Sequence, residues 1–193
     1  MTLLILGLVL FIGVHSVRIV ADGYRSAFIA QRGLGAWKGL YSIASLVGFV
    51  LIVWGYGQAR AQPVALWAPI PGAAHAAALL TLVSFILLAA KDVPGNGIKA
   101  RVHHPMIVGV KVWAFAHLLA NHTLADLLLF GSFLVWSIAS YAAARRRDRA
   151  AGTTYPPGRL SRTLLTVVAG VAVWAIFAFW LHGWLIGVRP FGA

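Results

Sequence analysis

The sequence predicts an all-α fold: a polytopic membrane protein built as a bundle of about six transmembrane helices. Its 193 residues are 61% hydrophobic and only 10% charged, whereas soluble domains are about half apolar and a quarter charged. Apolar runs long enough to cross about 30 Å of hydrocarbon, which takes roughly 20 residues, recur along the whole chain. We therefore expect a single transmembrane domain over residues 1–193.

The apolar runs define six predicted spans. The boundary between the fourth and the fifth is marked only by a short turn. The segment ANHTLAD at residues 120–126 separates two runs by only a tight turn at Asn121 to Thr123. One continuous helix over residues 105–144 would be about 60 Å long, twice the thickness of the hydrocarbon, so we divide it there. The predicted spans are residues 2–20, 38–58, 72–90, 105–121, 123–144 and 163–187.

The positive charges support this count and predict an orientation. Of the 16 Lys and Arg residues, 13 fall in or beside the first, third and fifth loops. Because positively charged loops stay on the cytoplasmic side, the odd loops are predicted to be cytoplasmic and both termini outside. The basic stretch RRRDRAAGTTYPPGR at residues 145–159 is interpreted as a solvated loop that sets this topology.

The amino-acid composition excludes several kinds of catalytic and metal site. The chain has no Cys and only four acidic residues, which excludes disulfides, thiolate nucleophiles, iron–sulfur clusters and cysteine-bound zinc, and leaves little material for paired-carboxylate catalysis. The net charge of +12 is explained by the loops, so we expect the lipid bilayer and not nucleic acid as the partner. Residues 2–14 lack a preceding basic region and a cleavage site, and are interpreted as a mature span and not a signal peptide.

Histidine is the residue type that raises a functional question. His15 and His117 are predicted to lie inside spans, where an unsatisfied polar group is costly. His75, His103 and His122 are expected at interfaces or in a loop, in solvated roles. A single buried His is usually a core residue whose hydrogen bonds are made. When two of them occur in a small membrane protein, a functional site that both share is about equally well supported.

Helical phase separates the polar residues of the fourth span. Pro105 suits the first turn of a helix, so His104 is predicted near its N-cap. At 100° per residue His117 and His104 point in different directions, and Lys111 shares the stripe of His104. Lys111 is interpreted either as reaching to the interface or as meeting an anion such as Asp126 or a cofactor carboxylate.

Two imidazoles in separate spans, many aromatic residues and cations at one membrane face are compatible with haem b. Haem iron takes axial histidines, its ring needs an apolar slot, and its propionates need cations, which Arg18, Lys99 and Arg101 could supply. The residues permit this cofactor without requiring it.

Four segments resemble the NnrU family, which is named for its association with nitrite and nitric oxide reduction in denitrifying bacteria. They are LGLVLFIGVHSVRI at 6–19, HHPMIVGVKVWAFAHLLAN at 103–121, LADLLLFG at 124–131 and LHGWLIGVRP at 181–190. The resemblance covers nearly the whole chain. His103 stands where the family usually has an arginine before His-Pro, which removes one cation from that place.

The resemblance implies a cofactor and ligands. The family is similar to the zeta-carotene isomerase of plants and cyanobacteria, a membrane haem b enzyme, whose axial histidines would correspond to His15 and His117. His104 would be a further polar residue of the site or an alternate ligand. Apart from the resemblance, the positions of Arg18, Arg101 and Lys111 make them the candidate cations for the cofactor. The isomerase's thiol-bearing position cannot exist here because the chain has no Cys, so isomerase activity does not transfer directly.

Three functions follow as hypotheses. The first is a haem b protein of a bacterial inner membrane, acting in nitrogen-oxide reduction, redox chemistry or isomerisation on a small hydrophobic or nitrogen-oxide substrate. The second is a non-enzymatic transporter or assembly factor. The third is a membrane methyltransferase dependent on S-adenosylmethionine, since HHPMIVG resembles a signature of such enzymes, although the later acidic motif is represented only by Asp148.

Overall fold

A computed structural model describes residues 1–191 and confirms an all-α polytopic membrane protein. Its helices are α1 (Thr2–Val20), α2 (Asp22–Ala61), α3 (Ala73–Asp92), α4 (Gly97–Val102), α5 (Pro105–Ala120), α6 (Leu124–Ala150), α7 (Leu160–Ile176) and α8 (His182–Ile186), with a π-helical turn at Phe177–Leu181 joining the last two. The described residues contain no β-strand, only two isolated bridges.

Five stretches in the described part of the chain are long and apolar enough to span a membrane: α1, α2, α3, α6 and the continuous Leu160–Ile186. The remaining predicted span, the fourth along the chain, is α5, which has 16 residues and is therefore about 24 Å long. The predicted division at Asn121 to Thr123 is confirmed, as is the helix start at Pro105.

Two sequence-based expectations about loops were wrong. Residues 22–37, expected as the first loop, are helical, because α2 begins at Asp22 and is interrupted only at Gly33, whose φ is 82°. Residues 145–150, expected in a solvated loop, extend α6 to Ala150. The short helix α4 was not predicted. Polar sequence marked these segments as extramembrane, and helices outside hydrocarbon carry no long apolar run to reveal them.

The chain divides into two compact units. The first comprises Met1–Ala68 and Asn121–Ala143, and the second comprises Pro69–Ala120 and the chain from Ala144 onward. In the first unit α1 packs antiparallel against α2 at glycines: a Cβ on Gly55 would lie 2.2 Å from the backbone nitrogen of Leu4, and one on Gly7 would lie 2.6 Å from that of Ile52. Small residues at these points let the two backbones approach closely.

The start of α6 is fixed within the first unit. The backbone nitrogen of Leu66 donates to the carbonyl of His122, and that of Leu124 donates to the carbonyl of Val64. Thr123 and Asp126 form a reciprocal capping pair, and Tyr56 donates its hydroxyl hydrogen to Asp126 at 2.5 Å. Asp126, suggested above as a partner of Lys111, is thus satisfied by neighbours in its own unit.

In the second unit α3 packs against α5 and α7. The buried hydroxyl of Ser84 donates to the carbonyl of Gly109 at 2.8 Å. Trp174 donates its indole hydrogen to Thr81 at 3.1 Å. A Cβ on Gly170 would lie 2.5 Å from the Cα of Ile86. Hydrogen bonds and small residues, not apolar burial, account for helix association where lipid is as apolar as the side chains.

Candidate functional site

His15 lies in α1 and is surrounded by aromatic rings of the first unit. Its Nδ1 lies 2.7 Å from the backbone carbonyl oxygen of Phe11, one helical turn earlier. The Phe11 ring stacks on it with centroids 4.1 Å apart, and the rings of Tyr41 and Trp136 lie at 5.0 and 6.0 Å. No described residue hydrogen-bonds to Nε2.

An open apolar groove of about 550 Å³ lies beside this histidine in the first unit. Trp136 both lines the groove and contacts the His15 ring edge-on. Its indole nitrogen is buried and has no hydrogen-bond partner among the described residues. The other lining residues come from α1 and α6: Ile12, Ser16, Ile19, Val20, Gly131, Ser132, Val135 and Ala139.

His117 lies in α5, in the second unit, and repeats the local geometry of His15. Its Nδ1 lies 2.8 Å from the carbonyl oxygen of Trp113, again the residue one turn earlier. The two rings are 5.0 Å apart. Because a carbonyl oxygen only accepts hydrogen bonds, the proton of each imidazole is on Nδ1, and Nε2 of the neutral ring carries the lone pair.

His104, at the start of α5, belongs to a polar cluster that we call the Asp148 cluster: His104, Arg145, Asp148 and Tyr155. One carboxylate oxygen, Oδ2 of Asp148, accepts hydrogen bonds from all three partners. Nε2 of His104 donates at 2.8 Å, Nη1 of Arg145 at 2.9 Å and the Tyr155 hydroxyl at 2.9 Å. The Asp148 side chain is 13% exposed, and those of His104 and Arg145 are 25% and 26% exposed, so the cluster lies close to the surface of the unit.

Tyr155 joins the loop after α6 to this cluster. Its ring lies 4.3 Å from that of His103, at 64°, and His103 is partly exposed in the turn between α4 and α5. Burial, followed by the hydrogen bond to the Asp148 carboxylate, raises the pKa of the Tyr155 phenol. Both effects favour the neutral phenol, because ionisation would place a second negative charge beside Asp148.

The comparison with known protein families gives a decisive match. The family model described as NnrU protein matches residues 3–190. The chain belongs to the NnrU family. No curated protein and no solved structure matches it.

The structure places the predicted site residues of this NnrU chain in both units. His15 and Arg18 belong to the first, and Arg101, His104, Lys111 and His117 to the second. His104 and His117 lie thirteen residues apart, about 20 Å along α5, and contact different partners. This agrees with the different helical phases expected for them.

The cations predicted near a cofactor have varied surroundings. The Arg18 side chain is 60% exposed and pairs with Asp22 at 4.0 Å. Arg101 is exposed at the end of α4, and Lys111 is half-buried in α5. Among the described residues, no group of three or more His, Cys, Asp or Glu could hold a metal ion.

The sequence reasoning missed Asp148, Arg145 and Tyr155 as site residues. One signal was available, since Asp148 is one of only four acids in the chain and lies in a run of arginines. An acid in that position is expected to have cationic neighbours. Its contact with His104, 44 residues away, depends on the fold and leaves no local pattern.

Proposed function

We propose that this NnrU-family membrane protein binds haem b, which His15 and His117 would hold, and that it serves nitrite and nitric oxide reduction. The observation that carries the proposal is the matching state of the two imidazoles. Each directs Nδ1 at the carbonyl oxygen four residues earlier, and each lies in an apolar helix. Metal-ligating histidines are held in this way, with the other ring nitrogen donating to a carbonyl or carboxylate.

The hydrogen bonds prepare each ring for ligation in two ways. They fix the tautomer with the lone pair on Nε2, and they restrict ring rotation, so less conformational entropy is lost when iron binds. Partial withdrawal of the Nδ1 proton by the carbonyl also makes Nε2 a better donor.

The surroundings of His15 are chemically suited to a porphyrin. Phe11, Tyr41 and Trp136 surround the ring, and the adjacent groove is lined almost entirely by apolar side chains. An apolar slot favours a flat hydrophobic ring, while cations near the membrane boundary favour its propionates. Arg18, Arg101 and Lys111 are proposed for that role.

Haem, when bound, would supply one-electron chemistry or a polarising iron centre. The chain's own residues orient the ligating rings through the Nδ1 hydrogen bonds and surround that of His15 with aromatic side chains. Nitrogen-oxide reduction is proposed because it is the process for which the family is named. Haem-dependent isomerisation would use the same two ligands. This chain, however, lacks the cysteine of the zeta-carotene isomerase.

The experiment is haem binding by the purified full-length protein, produced with ample haem precursor. We expect a Soret band and about one haem b per chain by pyridine haemochrome, with His15→Ala and His117→Ala each losing most of the haem. His75→Ala is the matched control, since His75 is exposed, and it should keep its haem. A wild-type protein that stays colourless under these conditions would refute the proposal.

A second measurement separates redox chemistry from transport. In a strain that respires nitrite, deletion of the protein followed by complementation with His117→Ala should not restore nitric oxide consumption. Restoration by this variant would support a transporter or assembly role that does not involve a haem ligand.

A further inference from the structure

We propose that the loop end of the second unit is an ordered binding surface for the headgroups of anionic phospholipids. This surface is formed by six cations from the C-terminal part of α4 and α6 and the start of α7: Lys99, Arg101, Arg146, Arg149, Arg159 and Arg162. The proposal does not depend on haem, and none of these six except Arg101 has a part in the proposed function above.

The six cations are available for a partner. All of them are exposed, and none forms an ion pair with a residue of the described chain. The two acids of this unit are already engaged. Asp148 accepts three hydrogen bonds within its cluster, and Asp92 pairs with Lys91 at 3.1 Å. The surface therefore carries a positive charge that nothing described in this unit neutralises.

The backbone that carries these cations is fixed, unlike that of an ordinary basic loop. Arg159 donates its backbone hydrogen to the carbonyl of Gly95 at 2.8 Å, and the backbone nitrogen of Gly97 donates to the hydroxyl of Thr163 at 2.8 Å. Gly158 packs so closely that a Cβ there would lie 2.1 Å from the nitrogen of Gly97. These contacts join the start of α4 to the start of α7.

Two further contacts hold the remaining parts together. The Tyr155 hydroxyl bonds to Asp148 near the end of α6, and His104, which follows α4, bonds to the same carboxylate. Asn96, only 2% exposed, caps α4 by accepting from the backbone nitrogen of Lys99 at 2.7 Å and donating to the carbonyl of Ala90. The three helix ends that bear the cations are therefore tied to one another.

The position of this surface favours lipid over other polyanions. Arg146 and Arg149 continue α6 directly after its apolar part, and Arg159 and Arg162 flank the first turn of the apolar helix α7. Cations at such helix ends lie at the height of the phosphate groups of a bilayer. Lys and Arg side chains near an anionic leaflet are attracted to its surface, and an ordered scaffold avoids the entropy cost of fixing a loop on binding.

The test compares the full-length protein with two double variants in a neutral detergent. Arg159→Gln with Arg162→Gln removes two cations from the surface, and Arg32→Gln with Lys38→Gln removes two exposed cations from the first unit. Cardiolipin or phosphatidylcholine is added to each, and bound lipid is counted by native mass spectrometry. Tryptophan fluorescence gives the Tm with and without lipid, and the lipid-free Tm shows whether each variant folds normally.

We expect cardiolipin to bind and raise the Tm of the wild type and of the Arg32 and Lys38 variant, while phosphatidylcholine does neither. The Arg159 and Arg162 variant should bind cardiolipin more weakly than the wild type, by a factor on the order of ten. If it does not fold, Arg146→Gln with Arg149→Gln replaces it with the same expectation. Equal cardiolipin binding by the surface variant and the control variant would overturn the proposal, as would equal binding of cardiolipin and phosphatidylcholine by the wild type.

Discussion

Nε2 of His104 donates a hydrogen bond to Oδ2 of Asp148 at 2.8 Å across 44 residues of sequence. This contact connects the start of α5 to the end of α6 within the second unit. It also occupies the ring nitrogen through which histidines often bind metals. His104 is therefore a residue of the Asp148 cluster in this structure, and ligation of iron through its Nε2 would first require this bond to break.

The Asp148 cluster should contribute to stability. Asp148→Asn removes the charge that three donors share, and we expect it to lower the Tm by more than the control substitution does. Asp92→Asn is the control, because Asp92 is 71% exposed and exposed ion pairs contribute roughly 0–1 kcal/mol. The Tm of each variant, followed by tryptophan fluorescence in detergent, measures the difference. Equal Tm values for the two variants would show that the cluster is not a stabilising element.

The raised pKa of Tyr155 predicts a loss of stability at alkaline pH. The folded state holds the phenol proton more tightly than the unfolded state, whose phenol ionises near pH 10. The contribution is therefore complete below about pH 10 and is lost as the pH rises through the folded-state pKa. The absorbance titration at 295 nm of the wild type minus that of Tyr155→Phe should have a midpoint above 10. A midpoint at or below 10 would contradict the hydrogen bond to Asp148.

The glycine contacts between α1 and α2 predict opposite effects for two nearby substitutions. Gly55→Ala places a methyl group 2.2 Å from the backbone of Leu4 and should destabilise the first unit by about 1–3 kcal/mol. Gly57→Ala meets nothing within 4 Å and should be neutral or stabilising by up to about 1 kcal/mol, because alanine favours helix. Thermal unfolding of both variants checks this. Similar losses in both would place the close contact elsewhere.

The orientation predicted from the positive charges can be tested directly, since the chain has no Cys. Gln62→Cys follows α2 in the second loop, and Thr153→Cys lies in the fifth. With odd loops in the cytoplasm, an impermeant maleimide should label Gln62→Cys in intact cells with a permeable outer membrane, and Thr153→Cys only after lysis. The reverse labelling pattern would invert the topology.

Much of the fold could be predicted because hydrocarbon imposes local rules on sequence. Pro105 begins a helix where its missing donor costs nothing, and the Asn121 to Thr123 turn is the only break that keeps both helices near membrane length. Each of these features is visible in a few consecutive residues. Small residues in an apolar run indicate positions where helices can pack closely, and this holds for Gly7 and Gly48 but not for Gly13, which has open space around it.

The unpredicted features depend on contacts distant in sequence or on helices in water. The helical residues 22–37 include many polar side chains and no long apolar run, so their sequence predicted a loop. The arginine-rich residues 145–149 were interpreted as part of a solvated loop. The sequence does not show that Asp148 accepts hydrogen bonds from His104 and Tyr155. The Nδ1 bonds of His15 and His117 likewise depend on side-chain rotation, which helical phase alone does not give.

The most direct test of the central claim is the ligation state of the haem-reconstituted protein, read by near-infrared magnetic circular dichroism with low-temperature electron paramagnetic resonance. We expect low-spin ferric haem with two imidazole ligands in the wild type. We also expect loss of this signature in both His15→Gly and His117→Gly, and its recovery on adding free imidazole. A wild-type spectrum without bis-imidazole ligation, or one unchanged by either substitution, would contradict the claim that these two histidines hold the haem.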